Sequence, residues 1–376
     1  MNYRSQNVKF HQKLNGKIEI KTKLNLRIKK QFELAYTPGV SQIVREIIKD
    51  KKKIFSFTIK SHSIAVISDG SAVLGLGNVG PDACLPVMEG KCAIFKTFAN
   101  LNAWPICLRT QKTEEIVSVI KNISTVFGAI NLEDIGSPRC FEIEKRLQNI
   151  GIPVLHDDQH ATSIAVLAGL MNCLRLAGKT FAKCRIVIVG CGAAGTAIAK
   201  LLLYQKANDI IMVDRDGILS SFRKRLDTHK TELVRITNKR NIKGFLPEAV
   251  AKADILIGVS AKNIFTRNMI AEMNTKPIVF ALANPDPEMS FQMAKKWKVK
   301  LFATGRSDYP NQINNALVFP GLFHGLLRWR KSKLTNQMKV KAATAISSLV
   351  TNPRNSKFIP SIFDKRVVPA VSDSMR

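Results

Sequence analysis

The chain has 376 residues, 45% of them hydrophobic, enough to fill the interiors of about two domains. Lys and Arg number 58 against 28 Asp and Glu, a formal net charge of +30. No apolar run reaches the roughly 18 residues of a membrane span, and the basic stretch Met1 to Lys13 lacks the apolar centre of a secretory signal, so neither is expected.

The seven cysteines show no metal-like or paired spacing, which points to reduced thiols and a cytoplasmic location. Basic residues are spread along the whole chain. The densest runs (49–53, 223–225 and 295–300) fall near predicted helix ends or loops and carry no alternating series of aromatic residues on which bases would stack. The charge is therefore read as a bias of composition that still attracts anionic substrates and cofactors, and nucleic acid is not the expected partner.

Residues 1–35 are mixed, with a short alternating stretch at Lys17–Lys23. Ser63–Ser68 reads as a strand, and Pro81–Asn100 as a helix opened by proline. Ala103–Leu108 is strand-like. Val126–Leu132 and Ile152–His156 are short apolar runs bounded by turn residues and read as buried strands, with helical spacing at Arg139–Asn149 between them. Ala161–Ala177 is apolar nearly all round and predicts a buried helix. Strands then follow at Arg185–Val189, Asp209–Val213, Asp254–Gly258, Pro277–Leu282 and Lys300–Ala303, most of them separated by helical stretches. That rhythm implies an α/β fold with a parallel, doubly wound, Rossmann-type sheet. The expected boundary lies near 157–162, giving a first domain of residues 1–160 and a second of 161–376. From Gly321 the tail is helical, then irregular around Pro353, Pro360 and Pro369, and is expected to pack back across a domain.

Two segments fit Gly-x-Gly-x-x-Gly: Gly75–Gly80 and Gly190–Gly195. The second follows the apolar strand Ile186–Val189 and runs into the helix Thr196–Tyr204. The next strand ends in Asp214, nineteen residues on, where a carboxylate takes ribose hydroxyls. Gly190, Gly192 and Gly195 let the backbone approach a pyrophosphate, with Ala193 and Ala194 in the same turn, and the N-terminus of the following helix offers it free N–H groups. This is the expected NAD or NADP site. Asp214 and Asp216 flank Arg215, and two acids against one base favour NAD. Gly75–Gly80 has nothing acidic at the matching distance and is read as a tight loop in another role.

The strand 126–132 ends in Glu133-Asp134, and the strand 152–156 in Asp157-Asp158. Ligands of open parallel sheets bind at such strand ends. Four carboxylates in one crevice repel unless a cation joins them, and oxygen ligands alone indicate Mg²⁺ or Mn²⁺. A single Asp at this place could instead cap the following helix, a role that suits Asp157 or Gln159. His156 and His160 flank the cluster and are read as hydrogen-bonded structure outside the ligand set.

Several stretches together resemble the malic enzyme family in its short bacterial form. They are Ala35–Val40, Ser68–Asn78, Leu85–Lys91, Ile130–Asp134, His156–His160, Ala281–Pro287, Ala303–Asp308 and Asn311–Asn315 leading into Phe319–Gly321. The likeness covers essentially the whole chain. It implies an N-terminal α/β malic-enzyme domain beside the dinucleotide domain, and oxidation and decarboxylation of malate with NAD(P) to pyruvate and CO₂. It implies Tyr36 as general acid, Lys91 as general base, and Glu133, Asp134 and Asp158 as metal ligands. Asn284 and Asn314 would contact substrate or the nicotinamide end of the cofactor, and the protein would be a dimer or larger. Burial near a cation is expected to lower the pKa of Lys91 toward that of a useful base. Ala161 and Cys191 stand where the family usually has glycine and alanine, the first of which would crowd the start of the helix. Competing readings are a 2-hydroxy acid dehydrogenase that does not decarboxylate, and a basic nucleic-acid-binding protein on an inactive scaffold.

Overall fold

The computed structural model describes residues 3–73 and 75–376; Met1, Asn2 and Leu74, the last inside the Ser68–Asn78 motif, lie outside the described residues. An arm comes first, with helices α1 (Tyr3–Leu14), α2 (Lys29–Ala35) and α3 (Val40–Lys49). The alternating stretch at Lys17–Lys23 forms no strand, because no neighbouring strand is there to pair with it. Lys17 instead donates to the Pro86 carbonyl at 2.6 Å. Val40, Val44 and Ile48 share one face of α3, yet neither α2 nor α3 buries any residue.

The first sheet is parallel, in the order β2-β1-β3-β4, with β1 at Ser63–Ser68, β2 at Asn102–Cys107, β3 at Ala129–Leu132 and β4 at Val154–His156. Helices α4 (Gly80–Ala99), α5 (Thr113–Ile123) and α6 (Arg139–Leu147) connect the strands. β1 has the bounds its sequence predicts. β3 starts three residues late: Gly128 presses so close to the Lys60 carbonyl that any side chain would overlap it, and Val126 stays exposed. β2 contains Pro105, which cannot donate to a ladder, and lies at the sheet edge. Ile67 is level with Leu132, and Leu132 with His156, so the residues just beyond β1, β3 and β4 form one row.

The next helix, α7 (Asp157–Ala177), starts four residues before the predicted Ala161. Asp157 and Asp158 sit in its first turn, where the helix dipole favours negative charge. Gly178 ends it in the left-handed conformation at φ +70°. Contrary to the reading of apolar runs, α7 is long and apolar enough to cross a membrane, but 72% of its most apolar window is buried inside the protein, as befits a core helix.

The second sheet has the order β10-β9-β8-β5-β6-β7, with β5 at Arg185–Val189, β6 at Asp209–Asp214, β7 at Gly217–Ile218, β8 at Ile255–Gly258, β9 at Ile278–Ala281 and β10 at Leu301–Thr304. All pairs are parallel except the short β6–β7. From β5 the chain goes first to β6 on one side through α8 (Ala193–Tyr204), and later to β8 on the other; α9 (Thr228–Ile236) lies between. The crevice where strand order reverses thus opens beside the end of β5.

One continuous core joins the two sheets, running from Ile64 and Phe95 through Ala165 and Leu170 to Ile188 and Phe280. The tail forms α10 (Phe319–Arg328), α11 (Asn336–Ser348) and α12 (Val367–Asp373). It does cross back: Phe319 and Phe323 meet Phe95 of α4 edge-on at 4.8 and 5.3 Å. Pro369 was expected in irregular chain and instead lies in the first turn of α12, where a missing N–H costs no helix bond. All seven cysteines are free, and the Cys84 and Cys107 sulfurs approach to 3.5 Å, a meeting their spacing does not announce.

Candidate active site

The row of strand ends in the first sheet carries acids. Asp69, after β1, is paired with Arg139 at 2.9 Å. Glu133, after β3, lies 2.9 Å from Lys91 and accepts from Asn131 at 2.8 Å. Asp134 follows in the left-handed region at φ +51°, and its backbone N–H donates to Asp158 at 3.2 Å. One carboxylate oxygen from each of Glu133, Asp134 and Asp158 lies within 4.8 Å of the others. Burial, then the charges of Asp158 and Glu133, push Asp134 up to about 9. Burial, then the charge of Asp157, push Asp158 up to about 6. Three crowded hard oxygen donors, held close at a cost in charge, fit a divalent cation such as Mg²⁺ or Mn²⁺. Across from them, Lys91 has only 7% of its side chain exposed; it donates to Asp157 at 2.6 Å and lies 3.9 Å above the Phe319 ring.

Two expectations are corrected here. Burial does pull the Lys91 pKa down, but the charges and hydrogen bonds of Asp157 and Glu133 outweigh it, so the net direction is up. The chain's own nearest charges are acids, not a cation. Neither Asp157 nor Gln159 caps α7. His156 holds that position without a side-chain cap, Asp157 is spent on Lys91 and on Asn315 (2.7 Å), and Gln159 donates to Glu144 at 3.0 Å. His160 is hydrogen-bonded structure, 2.5 Å from Glu144. His156 is fully buried, with its Nε2 3.7 Å from Asp158, and burial lowers its pKa.

The glycine turn Gly190–Gly195 connects β5 to α8. Gly190 has φ +114°, and a Cβ there would come within 2.5 Å of the Val259 carbonyl at the end of β8. A Cβ on Gly195 would overlap the Gly190 carbonyl. Gly192 is different: it caps α8 with no side-chain bond, and the nearest atom to a Cβ is Ser137 Oγ at 3.8 Å. That open space above free helix N–H groups suits a pyrophosphate. A cavity of about 370 Å³ joins this turn to the acids, lined among others by Gly192, Ala193, Ala194, Asp134, Asp158 and Asn284. Asn314 lines it too, while its side chain accepts from the Ala316 N–H at 2.8 Å. Gly75 of the other glycine segment also lines it: a Cβ there would lie 2.7 Å from the Asn284 carbonyl, so that loop seals one half of the molecule against the other.

Asp214 stands at the end of β6, level with the turn, since Val213 pairs with Val189. Its carboxylate accepts from Arg223 and from Lys230, each at 2.7 Å, and from the Asp216 N–H at 2.9 Å. Burial opposes ionisation, but these donors outweigh it and hold Asp214 below the usual carboxylate range. Arg223 and Lys230 carry no periodic signal that would mark them as partners of Asp214 in the sequence, nor does Asp157 as partner of Lys91 and Asn315. Tyr36 is not brought to the cavity. It ends α2, 62% exposed, with its ring 5.8 Å from Phe32.

A family model described as the malic enzyme N-terminal domain matches residues 15–148, and one described as the malic enzyme NAD binding domain matches residues 159–371. The chain belongs to the malic enzyme family. An NAD-dependent malic enzyme of Geobacillus stearothermophilus is 46% identical over 96% of this chain and 76% of its own length. An NADP-dependent malic enzyme of Halomonas elongata is 41% identical over 92% and 82%. The crystal structure of an NAD-dependent malic enzyme from Thermotoga maritima matches with a TM-score of 0.95 at 42% identity, covering 98% of each chain. In this malic enzyme the departure at Ala161 causes no break, since α7 runs through it and the methyl is fully buried.

Proposed function

We propose that this malic enzyme oxidises and decarboxylates malate to pyruvate and CO₂ with reduction of NAD(P), at the cavity between the two sheets. The observation that carries the reading is the meeting, across one cavity, of the Gly192 turn with the Asp134 and Asp158 carboxylates, which Glu133 joins from beside Lys91. Residues 1–160 form the substrate half and 161–376 the cofactor half, and NAD is the first choice because Asp214 stands where ribose hydroxyls would lie.

When bound, the divalent cation supplies charge to polarise the C2 oxygen of malate, and the dinucleotide supplies the hydride acceptor. The chain's own groups do the rest. Glu133, Asp134 and Asp158 hold the cation. With a cation offsetting the charge of Glu133, Lys91 would release its own proton to solvent and, as the neutral amine, take the proton of the C2 hydroxyl; Asp157, fixed by Asn315, then holds the ammonium so formed. Asn284 and Asn314 line the cavity where they can orient substrate and nicotinamide. Tyr36 returns a proton to C3.

The exposure of Tyr36, together with Val44 and Ile48 of the unburied α3, favours an assembly in which the arm docks on a second copy and brings its tyrosine to that copy's cavity. Free thiols suit a cytoplasmic enzyme. The test is malate-dependent formation of reduced cofactor that chelation abolishes and Mn²⁺ restores, with release of CO₂. No turnover by folded protein with Mn²⁺ and either cofactor overturns the reading; turnover without CO₂ favours a simple dehydrogenase.

A further inference from the structure

Asp157 and Asp158 are neighbours in the first turn of α7, yet one must meet Lys91 and the other the acid cluster. Both can do so only if that turn is held at one angle. We propose that Glu144, on α6, is the positioning residue that fixes the turn, and through it the aim of Asp157 at Lys91 and of Asp158 at the metal. Glu144 itself does not line the substrate cavity. Its role rests on the metal reading of Glu133, Asp134 and Asp158 given above.

Three donors from the start of α7 converge on this one carboxylate. Glu144 Oε1 accepts from the His156 backbone N–H at 3.3 Å and from His160 Nε2 at 2.5 Å, and Oε2 accepts from Gln159 Nε2 at 3.0 Å. Glu144 is buried, and a carboxylate is costly to bury unless its oxygens are satisfied. In a capping box the third residue of a helix reaches back to the N-cap N–H. Here the N-cap is His156, and the third residue, Gln159, offers its amide to Glu144 instead. Glu144 takes the N-cap N–H from a neighbouring helix. A cap carried by the helix itself would move with it, whereas this one ties α7 to α6. The tie reaches the first sheet through Gln148, at the end of α6, which donates to the Glu144 carbonyl at 3.2 Å and to the Val154 carbonyl of β4 at 3.0 Å. Packing does not hold the turn unaided. Asp158 and Thr162, one turn apart, line the substrate cavity, but Gln159, His160 and Glu144 line a second cavity of about 1020 Å³. With open space on that flank, the hydrogen bonds of Glu144 decide where the turn rests.

The experiment measures Mn²⁺ affinity by calorimetry, NADH binding by fluorescence and steady-state turnover in the full chain and in its Glu144→Ala, Glu144→Gln and Glu144→Gln/Gln159→Glu variants. Glu144→Ala is expected to bind NADH as wild type does. It should lose roughly tenfold in Mn²⁺ affinity and roughly tenfold in kcat at saturating Mn²⁺ and malate, the scale of one hydrogen bond to a charged group. A loss in kcat that saturation does not repair reports Lys91 out of line with its substrate. Glu144→Gln keeps the stem and one acceptor oxygen and should fall between. The double variant puts a carboxylate at the third helix position, where it can take the His156 N–H directly, and faces it with an amide, so it should return to within about threefold of wild type. If Glu144→Ala melts earlier but keeps wild-type Mn²⁺ affinity and kcat, Glu144 serves stability alone and the proposal is overturned. If Glu144→Ala does not fold, the other two decide: a double variant no better than Glu144→Gln overturns it as well. Wild-type protein that takes up no Mn²⁺ removes the metal reading itself, and the role of Glu144 falls with it.

Discussion

Lys91 and Asp157 are 2.6 Å apart, and they come from two different helices: Lys91 from α4 beside the first sheet, Asp157 from the first turn of α7. Removing the lysine strands two buried acids. Lys91→Ala should therefore lower malate oxidation by about 10²–10⁴-fold, the usual share of a general base. It should also melt earlier, since an uncompensated buried charge costs roughly 3–5 kcal/mol. Binding of reduced cofactor should persist. Unchanged turnover would remove Lys91 from the chemistry.

The crowded acids predict an unusual dependence on pH. In the folded, metal-free protein Asp134 is raised to about 9 and Asp158 to about 6. Their unfolded values lie near 3.9, so the folded state binds more protons between those limits. Stability from these groups is present at low pH and is lost as pH climbs through 6 and then 9. Chelated protein should melt at falling temperature over that window, while the gain from Mn²⁺ grows as the ligands deprotonate. A Mn²⁺ shift that does not change with pH would contradict the cluster.

Asp158→Asn separates stability from function. It removes one of three like charges, so chelated Asp158→Asn protein should melt higher than wild type at pH 8. Its affinity for Mn²⁺, read by calorimetry, should drop at least tenfold, and turnover should vanish with it. A variant that binds Mn²⁺ normally would take Asp158 out of the ligand set.

Two glycines of the turn, Gly192 and Gly195, should respond differently to one methyl group. At Gly195 it collides with the Gly190 carbonyl, so Gly195→Ala should lose both stability and NADH binding. At Gly192 it meets open space, so Gly192→Ala should fold normally and lose only NADH affinity. Equal NADH binding by Gly192→Ala and wild type would mean that no pyrophosphate lies there.

Tyr36 offers a complementation test. Tyr36→Phe and Lys91→Ala should each be inactive alone. If the tyrosine serves the neighbouring copy, mixed dimers regain one intact cavity, and activity should return when the two proteins are unfolded and refolded together. No recovery, with mixed dimers shown by mass, would put both groups in the same chain.

Much of the scaffold was legible from the residues. β1 and β5 have their predicted bounds because both are short apolar runs closed by turn residues. The acids after β3 and β4 were legible because strand ends gather ligands in a parallel sheet. What sequence could not show is pairing at a distance. Asp157 reads as a helix cap until Lys91, 66 residues earlier, is seen to reach it. Asp214 reads as a bare carboxylate until Arg223 and Lys230 close on it. Tyr36 reads as a site residue, but where its phenol sits depends on surfaces the single chain leaves uncovered. The late start of β3 reflects a contact of Gly128 with Lys60 that no local pattern encodes.

Glu133 and Asp134 end a strand of the first sheet, whereas Asp158 rides on a helix whose body is buried against the second. An ion gripped by all three would act as a clasp between the two lobes. Spreading the cleft to let product out would then loosen the grip on the metal, and refilling the clasp would draw nicotinamide and substrate back into register. Turnover and metal exchange would share a single hinge.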